Sequence, residues 1–291
     1  MDLADLAIFK AVADEGGIVR AARKLHRVPS SVTSRIQQLE GSVDSQLFVR
    51  SKQRLHLSPS GKVLLAYAER LLNLASEARA AVADGPPRGV LKLGALESTT
   101  ASRLPAVFSA FHRSFPDVRI ELTTGTNDAL TSAVAERRLD AAFVAEAPSR
   151  PGLSHAAAFK EKLVLITALA HAPVKRAVDV AGDSVIAFPR GCAYRRVLER
   201  WLGAKDLESV RVLELSSYHA IVACVASGTG IAIVPASVLA TVQCASVAVH
   251  PLPKVLGEVA TPLIWRSGEA PAAVAALREL TAIPSAPRTA A

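Results

Sequence analysis

The chain has 291 residues, half of them hydrophobic, and a formal net charge of +8 at pH 7. This length suits two or three domains rather than one, and the hydrophobic content excludes a disordered chain. No apolar segment reaches the ~18 residues that a membrane span requires. The first five residues include two acids instead of the basic start of a secretion signal. We therefore expect a cytoplasmic protein that does not contact a membrane.

The spacing of the cysteines and histidines indicates neither a metal site nor a set of disulfides. Cys192, Cys224 and Cys244 are too far apart for a CxxC metal motif and too few for a disulfide framework. The seven histidines show no paired-ligand spacing. No phosphate-binding loop and no GxSxG motif occur, although a catalytic triad need not be local in sequence. We expect no metal, no cofactor and no enzymatic activity.

The positive charge is concentrated near the N-terminus. The segment from Arg20 to Lys62 contains nine basic and two acidic residues, a local net charge of +7. A local basic patch is typical of proteins that bind phosphate groups of nucleic acids. Charge alone leaves open a solvated basic surface without a partner.

The same region predicts three short helices. Apolar residues recur at helical spacing from Leu3 to Ala13 and stop at Gly16-Gly17, a helix-ending pair. A second helix is predicted over residues 19–25. After a turn, Pro29 suits the first turn of a third helix, predicted over residues 29–39. This arrangement of short helices and a tight turn is typical of a helix-turn-helix.

The third helix has two different faces. Val32, Ile36 and Leu39 form one apolar stripe, while the opposite face carries short polar side chains such as Ser30 and Ser34. Base edges in a DNA groove offer donors, acceptors and methyl groups, which such side chains match. An ordinary polar surface helix is the alternative.

Residues 46–57 predict a β-hairpin. Two short apolar segments flank a basic turn that carries Arg50, Lys52 and Arg54. A basic hairpin tip beside a groove-reading helix is placed to meet phosphates or the minor groove.

Four segments together resemble the signature of LysR-type transcriptional regulators, in that family's order and spacing. They are Ala21–His26, Val32–Glu40, Gln46–Arg50 and Leu57–Gly61. The resemblance implies a winged helix-turn-helix whose third helix contacts bases from its first two turns. Two departures concern base reading: Val28-Pro29-Ser30 replaces the family's frequent Ser-Gln-Pro opening, and Ser34 replaces a common arginine. On this basis we expect contacts with double-stranded DNA from Arg20, Arg27, Pro29, Ser30, Ser31, Thr33, Ser34, Arg35, Arg50, Lys52 and Arg54, with Arg35 on a phosphate.

A long helix follows this domain. Ser58 is a suitable N-cap before Pro59, and an apolar stripe continues at helical spacing to about residue 83. A rod of ~37 Å extends beyond a sixty-residue domain, so its stripe favours dimerisation over intramolecular packing. The turn-rich segment 84–89 ends it. We therefore expect a DNA-binding domain over 1–58, a dimerisation helix over 59–84 and a third region over 85–291.

The third region alternates strand-like and helical segments, which predicts an α/β fold with mainly parallel sheet. Strands are expected over 90–95, 118–123, 141–144, 163–167, 185–188, 210–215, 231–234 and 259–264, and helices over 101–115, 128–137, 194–202 and 218–227. The order resembles the two-lobed, periplasmic-binding-protein-like effector domain of the same family. That resemblance implies one lobe of about 90–161 with 267–291 and another of about 162–266.

Hydroxyl-rich segments follow four of these strands. In parallel sheets, ligands bind at the carboxyl ends of strands beside helix N-termini. Plain helix capping is the alternative for each segment, and the family resemblance adds their convergence on one cleft. We expect effector contacts from Ser98, Thr99, Thr100, Thr126, Cys192, Tyr194, Arg195, Ser217 and Tyr218. The hydroxyls suit an effector with an anionic group, and Arg195 is either its counter-charge or a surface residue.

These expectations describe a LysR-type regulator whose promoter binding responds to a small-molecule effector. Its partners would be double-stranded DNA, the effector and further copies of itself, as a dimer through the long helix and, by family resemblance, a tetramer. The competing interpretation is a solute-binding protein with an accessory N-terminal domain.

Overall fold

The computed structural model describes residues 1–51, 54–82, 85–203, 211–242, 246–268 and 270–282. The chain divides into two compact units, one built mainly from residues 1–84 and the other mainly from residues 85–291. None of the described helices is long and apolar enough to cross a membrane. Within the same residues, no group of three His, Cys, Asp or Glu side chains is placed to hold a metal ion.

The first unit is a three-helix core with a hairpin and one long helix. Its elements are α1 (Leu3–Glu15), α2 (Ile18–Lys24), α3 (Pro29–Ser42), β1 (Phe48–Ser51), β2 (Arg54–Leu57) and α4 (Pro59–Ala81). Asp2 and Asp5 form a capping box at the start of α1, and Gly16 ends that helix in the left-handed conformation with φ 61°. The hairpin pairs Phe48 with Leu57 in antiparallel register.

The long helix α4 is only partly available to another molecule. Ala68 is fully buried in the core of the first unit, and Leu64 packs against that core. The expectation that the whole stripe needs a second chain was therefore wrong for these turns, because α1 covers them. Tyr67 and Leu74 remain exposed, by 55% and 43%.

The second unit contains nine strands, eight helices and a short 3-10 turn at Ala177–Val180 among its described residues. The strands are β3 (Gly89–Ala95), β4 (Val118–Thr124), β5 (Ala141–Phe143), β6 (Leu153–Ala168), β7 (Val185–Ala187), β8 (Val212–Glu214), β9 (Ala232–Pro235), β10 (Val247–Pro251) and β11 (Glu258–Arg266). The helices are α5 (Glu97–Ser102), α6 (Leu104–Ser114), α7 (Asn127–Ala135), α8 (Ala193–Leu202), α9 (Tyr218–Ala226), α10 (Ala236–Leu239), α11 (Lys254–Gly257) and α12 (Ala272–Thr281).

The expectation of mainly parallel sheet was wrong. Parallel pairing joins β3 to β4 and to β5, and β7 to β8. An isolated parallel bridge also joins Val185 of β7 to Ile231, just before β9. The pairings between named strands that remain are antiparallel: β6 with β9, β10 and β11, and β11 with β5. The cause is the pair of long strands β6 and β11, which pair antiparallel and connect the two groups of parallel strands.

Two elements differ in length from their predictions. Strand β6 begins at Leu153, ten residues before the predicted start. The prediction missed its first half because those residues are mostly alanine and polar residues, which have low strand propensity. The single helix predicted over 101–115 is two helices that part at Arg103. Pro105 explains the break, because proline lacks the N–H that a continuing helix would need. Strand β10 was not predicted.

Candidate functional site

Helix α3 presents one face to the core and one to solvent. Val32 and Leu39 are fully buried and Ile36 is 6% exposed, which is the apolar stripe seen in the sequence. Pro29, Ser30, Thr33 and Ser34 are exposed, whereas Ser31 is half-buried. Its outer face therefore carries hydroxyl groups at the positions predicted for base contacts.

Two side chains on α3 already have partners. The hydroxyl of Thr33 donates to the carbonyl of Pro29 at 3.0 Å, which leaves its oxygen lone pairs and its methyl group facing outward. The guanidinium of Arg35 lies 3.1 Å from Asp5 and 4.0 Å from Asp2 of the α1 capping box. Arg35 thus fixes α3 to α1, and 42% of its side chain stays exposed.

The other predicted DNA contacts lie around this helix. Arg20 in α2 and Arg27 in the turn before α3 are both exposed. Arg50 and Arg54 belong to strands β1 and β2. Lys52 lies outside the described residues.

Sequence reasoning missed the residues that attach the hairpin to α3 and α4. The Glu40 carboxylate accepts the backbone N–H groups of Leu47 at 2.7 Å and of Phe48 at 3.3 Å. Ser58 donates to the carbonyl of Gln46 at 2.6 Å and accepts the N–H of Gly61 at 2.9 Å, so it caps α4 as expected and also holds the hairpin. All of these residues lie in or beside the quoted segments, yet spacing alone does not reveal the contacts.

In the second unit, the carboxyl ends of five strands surround one cavity of about 230 Å³. We call it the strand-end cavity. Its walls come from the segments after β3, β4, β5, β7 and β8 and from the first turns of α5, α8 and α9. The lining residues are Leu96, Glu97, Ser98, Thr124, Gly125, Thr126, Ala145, Phe188, Pro189, Cys192, Ala193, Tyr194, Ser216 and Tyr218.

The cavity gathers five of the nine predicted effector residues. Ser98, Thr126, Cys192, Tyr194 and Tyr218 line it. The other four do not belong to the lining: Thr99, Thr100, Arg195 and Ser217.

Three of those four residues are accounted for by their positions in or beside helices α5 and α9. Thr100 donates its hydroxyl to the carbonyl of Leu96 at 3.0 Å, within α5. Ser217 is the N-cap of α9, although its side chain makes no capping hydrogen bond. Thr99 is buried in α5.

Arg195 is engaged within the protein. Its side chain is 7% exposed, donates to Glu199 at 2.9 Å and forms a second ion pair with Glu214. It also donates to the carbonyl of Phe188 at 3.1 Å. Two carboxylates thus already neutralise the guanidinium that was one candidate counter-charge for an anionic effector.

Helix capping accounts for only part of the polar lining. Thr126 accepts the N–H of Ala129 at 3.4 Å and so caps α7. By contrast, the buried hydroxyls of Ser98 and Tyr194 make no hydrogen bond of good geometry within the described residues, although Ser98 and Thr261 lie close enough to the Tyr194 hydroxyl to oppose the increase of its pKa in part. Unsatisfied buried polar groups are costly, so these two hydroxyls are groups that a bound molecule would satisfy.

Burial governs the titration of the cavity's thiol and phenols. It raises the pKa of Tyr194 to about 12 and raises the pKa of Tyr218 well above its usual range. Burial likewise raises the pKa of the Cys192 thiol. A thiol is reactive as its thiolate, so this environment disfavours redox chemistry at Cys192.

Glu97 is the charged residue of the lining, and sequence reasoning gave it no role. One of its carboxylate oxygens is buried without a hydrogen-bond partner among the described residues. Desolvation raises the pKa of this carboxyl, and nearby His219 partly opposes the increase. Its position as the first residue of α5, directly after β3, is the signal that was available in the sequence.

Two family models match the chain. The model for bacterial regulatory helix-turn-helix proteins of the lysR family matches residues 3–62, and the LysR substrate binding domain matches residues 84–282. The transcriptional regulator YusT of Bacillus subtilis (strain 168), itself described as uncharacterized, is 35% identical over 268 residues, 91% of this chain and 90% of YusT. GltR of the same strain is 33% identical over 242 residues, 83% of this chain and 82% of GltR. The crystal structure of full-length CbnR complexed with its target DNA is similar with a TM-score of 0.70 and 25% identity, over 97% of this chain and 99% of CbnR.

Proposed function

Because this chain belongs to the LysR family of DNA-binding transcriptional regulators, we propose that it reads promoter DNA with the exposed face of α3. We further propose that a small effector in the strand-end cavity changes that binding. The observation that carries the effector role is the convergence of five strand ends on one cavity with unsatisfied hydroxyls. The proposal also includes the two lobes of the effector domain, one of about residues 90–161 with 267–291 and the other of about residues 162–266.

The exposed hydroxyls of Ser30 and Ser34 support base reading, since hydroxyl groups donate to or accept from any base edge. Exposed Arg20 and Arg27 support phosphate contacts, which supply affinity without sequence preference. Arg35 has a second role, because its pairing with Asp5 orients the helix that would enter the groove.

The effector acts through differential affinity. A ligand shifts a conformational equilibrium only if it binds one arrangement better than another. Residues from two groups of strands line the cavity, so closure around a ligand would favour one arrangement of those groups. That arrangement would then change how two DNA-binding units of an oligomer meet their half-sites.

Self-association through α4 belongs to the same proposal. Val63, Tyr67, Leu71 and Leu74 are exposed by 61%, 55%, 38% and 43% on this helix. An apolar stripe of this size in water favours contact with a second copy. Pairing of dimers into a tetramer would place four DNA-binding units in one particle.

The competing function, a solute-binding protein with an accessory N-terminal domain, is not favoured, because the model of lysR-family helix-turn-helix proteins matches residues 3–62 and the regulator YusT is similar along 91% of this chain. We also propose that the chain has no catalytic activity. The lining of the cavity offers no adjacent nucleophile and base, since Cys192 has a raised pKa and no histidine is part of the lining.

Selection of bound fragments from the source organism's DNA tests the proposal. We expect enrichment of a partly palindromic site, with two half-sites separated by whole helical turns. A regulator contacting about six phosphates should lose affinity with a log–log salt slope near −5. A flat salt response, or a folded dimer that enriches no site with or without cell metabolites, would contradict it.

A further inference from the structure

We infer that the strand-end cavity receives a small metabolite carrying an ammonium group, with Glu97 as its counter-charge. This inference rests on the proposed function and specifies the chemical class of the effector. It adds an ammonium group to the expected effector with an anionic group, and it gives Arg195 no role as a counter-charge.

The first support is the charge of the lining. Glu97 is acidic, and among the described residues no lysine or arginine belongs to the lining of the cavity. Arg195, which follows the lining residue Tyr194, is neutralised by Glu199 and Glu214. A ligand whose only charge is negative would therefore meet a carboxylate and no free cation in the lining.

The second support is the unsatisfied state of Glu97 itself. One carboxylate oxygen, Oε2, is buried without a hydrogen-bond partner among the described residues. The exposed His219 partly opposes the increase that burial causes in the pKa of Glu97. A buried carboxylate without a partner is costly, whereas an N–H⁺ donor would form a charge-assisted hydrogen bond with it.

The third support is aromatic. Phe188, Tyr194 and Tyr218 line the same cavity, and the rings of Phe188 and Tyr218 lie 4.6 Å apart at 55°. Ring faces attract cations through their quadrupole, and carboxylates combined with aromatic rings are a recurring environment for ammonium groups. This lining suits a cation with a short apolar body.

Two hydroxyls of the lining indicate which other groups the ligand carries, and the volume of the cavity limits its size. The buried hydroxyls of Ser98 and Tyr194 are free to bond a ligand oxygen, such as a hydroxyl or a carboxylate. A volume of about 230 Å³ accommodates roughly eight non-hydrogen atoms at the ~30 Å³ that each water molecule occupies in the liquid. The class is therefore a small amine, including amino acids with short side chains.

The test uses pairs of compounds in which an ammonium group is exchanged for a hydroxyl. Suitable pairs are L-alanine with L-lactate, L-valine with 2-hydroxyisovalerate, and isobutylamine with isobutanol. Binding to the full-length protein is measured by thermal shift and calorimetry, at about 10 mM ligand, above the ~1 mM dissociation constant of a weak ligand. We expect at least one amine to bind about tenfold more tightly than its hydroxyl partner, a difference of ~1.4 kcal/mol.

Glu97→Gln is the decisive variant, with Glu121→Gln as the matched control on the exposed part of β4. We expect Glu97→Gln to weaken the amine about tenfold, to change its hydroxyl partner less than about twofold, and the control to change neither. The inference is overturned if no amine binds, if hydroxyl or carboxylate compounds bind as tightly as the amines, or if Glu97→Gln binds the amine unchanged.

DNA binding separates this inference from the proposed function. The same compounds are added to the protein on its selected DNA site. A carboxylate without an amine that binds the cavity and changes DNA affinity would overturn the ammonium inference and keep the regulator. An amine that requires Glu97 but leaves DNA affinity unchanged would keep the site and overturn its effector role.

Discussion

The Nε atom of Arg103 lies 2.6 Å from a carboxylate oxygen of Glu161, whose side chain is only 3% exposed. Ser237 in α10 donates to the other carboxylate oxygen at 2.7 Å. Glu161 lies on β6, and Arg103 follows α5, the helix that starts at the cavity with Glu97. One buried carboxylate therefore joins the far end of a cavity helix to α10.

Removing Arg103 should cost stability. Arg103→Met leaves a buried carboxylate with one remaining donor, so we expect a loss of about 2 kcal/mol, below the ~3–5 kcal/mol typical of fully buried pairs because Arg103 is about one-third exposed. Urea unfolding measures it. Arg113→Met, on the exposed face of α6, is the matched control, and an equal effect of both variants would contradict the prediction.

Gly61 should tolerate no side chain. A Cβ atom there would lie 2.1 Å from the carbonyl oxygen of Leu47 and 3.0 Å from the side chain of Leu57. We expect Gly61→Ala to destabilise the first unit by about 2–4 kcal/mol and to weaken DNA binding. Gly41→Ala in α3 is the control, since a Cβ there meets open space and alanine favours helix by up to ~1 kcal/mol. Similar melting temperatures for Gly61→Ala and Gly41→Ala would contradict the close packing of Gly61 against the Leu47 backbone.

Thr33 and Arg27 should affect DNA binding differently. We expect Thr33→Ala to reduce the preference for the selected site over random DNA by about fivefold, or ~1 kcal/mol, because it removes a base-facing methyl and oxygen. Arg27→Ala should weaken both DNAs equally and reduce the salt slope by about 1, as loss of one phosphate contact does. Titrations at several salt concentrations measure both, and equal loss of specific and nonspecific binding in both variants would exclude α3 as the reading helix.

The stability of Glu97→Gln should depend on pH in a defined direction. Burial raises the pKa of Glu97 above its usual 4.5, so the folded state binds more protons than the unfolded state over the interval between the two pKa values. Wild-type stability therefore falls as pH rises through that interval. Glu97→Gln lacks this loss and should become relatively more stable at pH 7 than at pH 4, by less than ~1 kcal/mol since the group is partly solvated. Urea unfolding at both pH values checks this, and a variant that is less stable at both would assign Glu97 a structural role.

Local patterns were sufficient to predict the helices of the first unit. The stripe of Val32, Ile36 and Leu39 predicted the buried face of α3 because a helix repeats every 3.6 residues, whatever surrounds it. Pro29 and Gly16 marked helix ends through their own backbone restrictions. The resemblance across four short segments then identified the family that the whole-chain comparisons confirmed.

Local patterns failed where distant segments decide the structure. The first half of β6 is rich in alanine and polar residues, and its pairing with β11 places it in the sheet. Arg195 pairs with Glu199 four residues further along α8, a spacing visible in the sequence, but its second partner Glu214 lies on β8 and only the tertiary structure reveals that contact. The sequence did not single out Glu97, because its place in the lining of the strand-end cavity depends on segments that are distant in the chain.

By itself, then, the sequence determined the elements whose causes are local: helix periodicity, caps, the basic patch and the family signature. The tertiary structure alone decided which side chains face one another across the strand-end cavity. That is a matter of long-range packing, which leaves one oxygen of Glu97 buried without a hydrogen-bond partner among the described residues and pairs the buried Arg195 with Glu199 and Glu214.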